Sequence, residues 1–418
     1  MKVTLPTSLP AKPTLLASLR ELPRPAWILF FGTFLNKFGA FVVPFLTLYL
    51  TSRGCTVGQA GLAISAYGVG SMAASLLGGH LADELGRRKT IVLSMCSGAV
   101  VMMLLSQARS LPVIIALTAL TGLTNEFYRP ASTALLADLV PPGQRITAFA
   151  TLRMAFNAGF AFGPATAGFL AALGYFWLFA GDATTSLLFG LVAWFALPGG
   201  GQGRQNNASW SEALTELRRD RKLHQLLLAN FAIGLLFFQI ASTFGLYVLQ
   251  LGFSAATYGA VVSLNGALVV CLELPIVTIT RRFPTRRVMA AGYLLCALGY
   301  ALNAFAHTIP ALVSCMIFFT LGEMIMMPMS SAYLANLAPV HMRGRYMGVS
   351  GLTWALALII GPAAGIKLFV TEAKVYWLVC VALGVFAAAI ISIQVEAQAA
   401  QDRVAFRATR KVVEQKES

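Results

Sequence analysis

Apolar stretches of about 20 residues follow one another from Trp27 to Val395, and no other feature of this sequence limits its fold as strongly. A helix needs roughly 20 mainly apolar residues to cross the hydrocarbon of a bilayer. In lipid every backbone polar group must be satisfied inside the segment, so each stretch reads as a spanning helix. Only 11% of residues are charged, against about a quarter in soluble domains. Twelve spans are placed approximately at residues 26–50, 58–79, 90–108, 112–139, 145–172, 175–197, 223–249, 255–279, 288–307, 310–338, 345–369 and 373–395. They divide the chain into a lead (1–25), a six-helix unit (26–197), a linker (198–221), a second six-helix unit (222–395) and a tail (396–418).

The formal charge of +15 could suggest nucleic acid, but its placement argues otherwise. Taking the N-terminus as cytoplasmic, the inner loops collect nearly all Lys and Arg, including Arg87, Arg88, Lys89, Arg145, Arg286 and Arg343. Outer loops hold only Arg53, Arg109, Lys367 and Lys374. This is the positive-inside pattern, with both termini inside, and it requires no nucleic-acid partner. The basic excess is a solvated or headgroup-facing surface. The lead carries Lys2, Lys12, Arg20 and Arg24 among prolines and has no apolar core with a cleavage site, so it reads as a cytoplasmic segment and not a signal peptide. The one long polar interruption, Gly199 to Asp220, reads as a flexible start and a short amphipathic helix on the inner membrane surface. None of the six cysteines stands at metal-ligand or CxxC spacing, so neither a disulfide nor a metal site is expected.

A shift of 198 residues lays Pro328–Pro339 over Pro130–Pro141, Gly361–Pro362 over Gly163–Pro164, and Arg286 over Arg88. The same shift pairs Gly54 with Gly252, Gly61 with Gly259 and Gly68 with Gly266. One ungapped register serving almost the whole chain indicates duplication. Two parallel six-helix halves related by an axis along the membrane normal place substrate near the midplane between them. The expected fold class is therefore all-α integral membrane, with twelve transmembrane helices in two pseudo-symmetric six-helix bundles.

Between the second and third spans stands GHLADELGRRK, Gly79 to Lys89, with Asp83, a turn at Gly86, and the basic run Arg87, Arg88, Lys89. This resembles the loop signature of the major facilitator superfamily. The resemblance implies that Asp83 meets the N-terminal end of the eleventh helix, where unpaired N–H groups and the dipole favour a carboxylate. It also implies that Arg87 bridges Asp83 to Asp138. Gly79, Asp83, Gly86, Arg87, Arg88 and Asp138 would then form a cytoplasmic latch, closed when the transporter faces outward. The plain alternative is a loop that only sets topology. In the second half the shift puts Arg281 where Asp83 stands, Pro284 where Gly86 stands and Asn336 where Asp138 stands, so the acidic latch is one-sided.

NAGFAFGPATAG, Asn157 to Gly168, is similar to the glycine-proline signature of the antiporter branch. Gly159, Gly163 and Pro164 share a face and allow close approach and a bend. Ordinary packing would serve as well, because the second half also carries GPAAG at Gly361 to Gly365. Within the superfamily the sequence resembles twelve-span bacterial drug:proton antiporters over residues 26–395, helped by LGEMIMMPMSSAYLANL around Glu323. It departs from many of them at Thr118, where an arginine four residues before the glycine at 122 is usual.

Ionisable groups in hydrocarbon cost at least ~2.5 kcal/mol at helix centre, so each needs a partner, a wet cavity or a function. Glu126 and Glu323 both fall near mid-membrane. Gly122, Glu126, Arg129 and Thr133 follow helical spacing, so Glu126 can pair with Arg129. Glu323 has no basic neighbour along its own helix and is the first proton-coupling candidate, with Glu126 the second. Asn36, Lys37, Arg129, Arg153, Asn157 and Met327 are substrate-cavity candidates, the basic ones forming a polar patch in the first half. Satisfied salt bridges or simple methionine packing are the competing readings. Asp182 is assigned to structure, and Glu273 is left open.

These residues point to proton-coupled export of small amphiphilic compounds by a monomer in a bacterial-type inner membrane, without cofactor and driven by the proton gradient. No phosphate-binding loop offers another energy source. A second reading is proton-coupled transport of a sugar, amino acid or siderophore, since three cations in the first half suit an anionic or zwitterionic ligand. A membrane sensor that has lost transport is a third. No nucleophile, histidine pair or metal constellation lies in the spans, which speaks against an enzyme.

Overall fold

A computed structural model describes residues 15–199, 210–240 and 242–393. Residues 1–14, the linker segment 200–209 and the tail at 396–418 lie outside the described residues. The first half of the chain forms α1 (Leu15–Arg20), α2 (Arg24–Phe38), α3 (Val42–Ser52), α4 (Val57–Glu84), α5 (Arg87–Gln107), α6 (Leu111–Glu126), α7 (Tyr128–Leu139), α8 (Arg145–Leu173) and α9 (Phe176–Ala196). After α10 (Trp210–Arg219), the second half forms α11 (Arg221–Phe237), α12 (Thr243–Gln250), α13 (Ala255–Thr280), α14 (Thr285–Asn303), α15 (Ile309–Leu337), α16 (Arg343–Thr371) and α17 (Ala373–Ile393). Among the described residues, eight helices are long and apolar enough to cross a membrane. The other long stretches include α2/α3 and α11/α12, which are broken, α8, and α14, which opens with Arg286 and Arg287.

Irregularities recur at the 198-residue shift seen in the sequence. Thr56 caps α4 by accepting from the Gln59 N–H (3.2 Å), and Ser254 caps α13 by accepting from the Thr257 N–H (3.2 Å). Each cap follows a tight turn through a left-handed glycine, Gly54 (φ 86°) and Gly252 (φ 83°), a conformation that only glycine adopts without strain. The break between α2 and α3 is mirrored between α11 and α12. At the first break Asp182 of α9 accepts the backbone N–H groups of Phe41 and Val42, so this buried carboxylate satisfies the exposed start of α3. The sequence assigned Asp182 to structure, and its geometry is that of a cap.

Small residues let the helices approach closely where apolar packing alone cannot drive them together. A Cβ at Gly159 would lie 2.5 Å from the Phe34 carbonyl oxygen, and one at Gly163 2.8 Å from that of Phe38, which fixes α8 on α2. Pro164 follows in the same helix. In the second half a Cβ at Gly361 would lie 3.3 Å from the Leu235 carbonyl oxygen of α11, and Gly365 packs on the Gln239 side chain just beyond that helix, a looser version of the contact. The glycine-proline element is thus shared by both halves as a packing device. Phe169, Phe195 and Phe305 are strongly exposed on the outer surface, which suits a lipid-facing wall.

The halves touch through α4 with α16, α8 with α13 and α15, and α7 with α16. These contacts concentrate at the end of the molecule that carries the basic turns, hereafter the basic end. A Cβ at Gly79 would lie 2.4 Å from the Gly344 carbonyl oxygen, and one at Gly348 2.3 Å from that of Ser75. Towards the other end nothing lies within 4 Å of a Cβ at Gly61, Gly68, Gly259 or Gly266. The helices therefore diverge away from the basic end.

Candidate functional site

At the basic end five charged groups knot the halves together. Asp83, at the end of α4, accepts the N–H groups of Gly344 (3.0 Å) and Arg345 (2.9 Å) in the first turn of α16. These are charge-assisted bonds at a helix N-terminus, where the dipole adds to them. Arg87 donates to Asp83 Oδ1, to Asp138 Oδ2 (3.3 Å) and to the Val340 carbonyl oxygen (3.2 Å). From the other half Arg343 pairs with Asp138. Arg145 reaches the opposite way, to the Ala335 carbonyl oxygen (3.0 Å) and to Asn336. The Arg343–Asp138 and Arg145–Asn336 contacts are mates under the 198-residue shift. Gly86 makes the turn before α5 at φ 91°.

Arg88, placed in this group by sequence, stays within the first half. One step along α5 turns it about 100° away from Arg87. It donates to the carbonyl oxygens of Trp194 (3.3 Å) and Leu197 (3.4 Å) and lies over the Trp194 ring. On the second side, Arg281 donates to Ser18 Oγ of α1 (2.9 Å), where its mate Asp83 accepts a helix terminus. Gln144 donates to Glu21 (2.8 Å), and Leu22 is buried, so the α1 segment straps across α8 and α13.

Behind this closure lies a cavity of about 320 Å3 lined by both halves. Tyr67, Ser71, Ser75, Glu126, Arg129 and Thr133 form one wall, and Phe238, Met327, Ser330, Trp354 and Leu358 are on the other. Glu126 is held by three donors: Lys37 Nζ (3.1 Å), Arg129 Nη1 (3.2 Å) and the Tyr67 hydroxyl (3.3 Å). Lys37 sits behind it, buried, near the Tyr128 and Phe156 rings. Arg129 lies over Phe156, and its side chain remains 54% exposed. A one-residue interruption at Phe127 between α6 and α7 precedes Arg129. Gly122, on the same sequence stripe, instead packs on α4, where its Cβ would lie 2.1 Å from the Tyr67 carbonyl oxygen. Thr118 is buried and donates to the Ile114 carbonyl oxygen of its own helix.

A second cluster crosses between the halves. Arg153 of α8 donates through Nε to both oxygens of Glu273 (2.7 and 2.9 Å) and through Nη1 to Glu323 Oε1 (2.8 Å). Asn265 donates to Glu323 Oε2 (2.6 Å) and to Thr320 (3.0 Å). Glu273 is fully buried, and Arg153 Nη2 is buried without a partner among the described residues. One guanidinium thus faces two carboxylates in a low-dielectric setting, which leaves one negative charge to be compensated.

Several sequence expectations change here. Arg153 does not join a first-half patch; it faces the second half, and it supplies the cation that Glu323 lacks on its own helix. Asn157 donates back to the Arg153 carbonyl oxygen (2.9 Å), as a polar side chain on a helix commonly does. Asn36 turns away from the cavity and donates to Met95 Sδ of α5 (3.6 Å). Of the methionines near Glu323 only Met327 lines the cavity, while Met324, Met326 and Met329 are buried. Glu273, Arg145, Arg343 and Tyr67 were not chosen from sequence. The repeat register could have flagged Arg145 and Arg343, which it superposes. No signal pointed to the Glu273–Arg153 pair, whose members lie 120 residues apart.

The sequence pattern of the Major Facilitator Superfamily matches residues 29–362 and, in a second match, 226–414. The uncharacterised MFS-type transporter YqjV of Bacillus subtilis is 28% identical, covering 81% of this chain and 85% of its own length. The Na(+), Li(+), K(+)/H(+) antiporter of Planococcus maritimus is 26% identical over 79% and 85%. Multidrug resistance protein MdtH of Aeromonas hydrophila is 28% identical over 81% and 86%. Among solved structures, a bacterial homologue of the iron transporter ferroportin in an outward-facing state superposes with a TM-score of 0.75 at 16% identity, covering 88% and 98% of the two chains. That likeness is one of fold.

Proposed function

Because this chain belongs to the Major Facilitator Superfamily, we propose that it is a proton-coupled antiporter exporting small amphiphilic compounds by alternating access. It is a multi-pass membrane transporter and not an enzyme. In this reading the broken stretches α2/α3 and α11/α12, together with α8 and α14, also span. That makes twelve helices in two bundles of six, working as a monomer in the inner membrane without a cofactor. Positive-inside bias then puts the basic end and both termini in the cytoplasm, and the arrangement is outward-facing. The names of two relatives, a cation/proton antiporter and a multidrug resistance protein, support exchange and efflux.

The observation that carries the reading is the Arg153–Glu273–Glu323 cluster, which joins the halves just behind a cavity closed at one end. A proton on either carboxylate removes the uncompensated charge, and a proton on Glu323 withdraws an ionic link between α8 and α15. Loading protons from the open side would loosen the halves. Release on the cytoplasmic side would restore the link and reset the outward state. Vesicles containing purified protein, loaded at acidic pH and diluted into alkaline buffer, should concentrate an amphiphilic dye and lose it on adding a protonophore. Dye movement indifferent to the pH gradient would overturn the coupling.

A further inference from the structure

One charge stands open on the cavity wall, and its sign names a substrate class. Among the described residues lining the cavity only Glu126 and Arg129 are charged, and Lys37 stands directly behind Glu126. Lys37 is buried, bonded to Glu126 and facing the carboxylate of Asp182 of α9, so these charges pair among themselves behind the wall. The positive charge open to the cavity is that of Arg129, the one member of the cluster with an exposed side chain. Glu126 spends one oxygen on Lys37 and Tyr67 and the other on Arg129, so an incoming cation would find no free negative charge. The guanidinium lends one N–H to Glu126, and its planar fork can still grip a second oxyanion with two parallel bonds.

Resting on the transport reading above, we propose that the cavity takes amphiphilic anions, an aromatic or alicyclic body carrying one carboxylate or sulfonate, with Arg129 holding the anionic group. The body would lie on the facing apolar wall, where Phe238 and Trp354 pack edge to face (6.1 Å between ring centres) beside Met327. The cavity of about 320 Å3 fits one such molecule. Ser71 flanks the anchor on its own wall and offers a hydroxyl donor to a remaining oxygen, while the Ser75 and Thr133 hydroxyls donate back to their own helices. Inside a partly enclosed cavity with a largely apolar far wall, a charge-assisted pair with the guanidinium is screened less than at an open surface, so a bound anion gains.

The test uses a matched pair of fluorescent probes, anilinonaphthalene sulfonate and the sulfonate-free phenylnaphthylamine, titrated into full-length protein in nanodiscs with empty nanodiscs as background. The wild type should favour the sulfonate by at least about tenfold, or ~1.4 kcal/mol. Arg129→Gln should lose that preference while still binding the neutral probe, which also reports a folded cavity. Glu126→Gln raises the local charge and should tighten the sulfonate further. Equal affinities in the wild type, a preference that survives Arg129→Gln, or no gain in Glu126→Gln would overturn the assignment. Gradient-driven flux separates this from the transport reading. Accumulation of ethidium but not of the sulfonate leaves the transporter standing and removes the anion; if no probe of any charge accumulates, the transport reading itself falls.

Discussion

Adding one methyl group at Gly79 should open the basic end. In α4, a Cβ at this position would sit 2.4 Å from the Gly344 carbonyl oxygen and 3.3 Å from the Arg345 Cα. Ordinary contact needs the chains to part by about 1 Å, since the neighbour is backbone and cannot swing aside. That displacement stretches the Asp83 bonds to the Gly344 and Arg345 N–H groups, now 3.0 and 2.9 Å, beyond bonding range. Hydrogen bonds to a charged group contribute about 1.5–3 kcal/mol each. Water at this end recovers part of that, leaving about 2–3 kcal/mol against the closed arrangement. Alanine also favours the helix over glycine by roughly 1 kcal/mol, but it does so in every state and cancels. The equilibrium between closed and open should therefore shift by about 30- to 150-fold. Spin labels at Leu85→Cys and Val340→Cys, both exposed at the basic end (46% and 45%), in a background without the six native cysteines, would read the distance by pulsed electron resonance. Gly79→Ala should move the short population to longer distances. Gly61→Ala, whose Cβ meets nothing within 4 Å on the same helix, should not. Identical distributions in the two variants would refute the reasoning.

Three further outcomes follow from the same geometry. Asp83→Asn keeps one acceptor but loses the charge, and should slow transport while leaving membrane insertion intact; wild-type rates would reduce the loop to a topological signal. Gly159→Ala drives a Cβ to within 2.5 Å of the Phe34 carbonyl oxygen and should lower thermal stability by about 1–3 kcal/mol in a detergent melt, with an unchanged melting temperature contradicting the α2–α8 contact. Ser18→Ala with Glu21→Ala removes two polar ties of the α1 strap and should lengthen the Leu85–Val340 distance less than Gly79→Ala does, because each tie contributes only about 1 kcal/mol. No change at all would make α1 a passive appendage.

The sequence made the helices legible because lipid forces long apolar runs, and the turns legible because Gly54, Gly86 and Gly252 need left-handed backbone. It could not show where helices break. The interruptions after Phe38 and Phe237 carry no proline, and the first depends on neighbours such as Asp182 and Thr185, whose positions emerge only on packing. Charges read along one helix were placed well when the partner lay three residues away, as with Glu126 and Arg129. Long-range pairing was out of reach: Glu323 looked isolated on α15, yet Arg153, 170 residues away, lies 2.8 Å from it. Helical phase also decided Arg88, which adjoins Arg87 in sequence but points to α9.

The most direct test of proton-coupled exchange follows both fluxes at once in proteoliposomes that trap a pH-sensitive dye, with an amphiphilic substrate added outside. Substrate entry should move protons the other way in the wild type. In Glu323→Gln substrate should still exchange down its own gradient with no accompanying proton movement. Substrate transport by the wild type without proton movement, or proton movement unaltered by Glu323→Gln, would contradict that coupling.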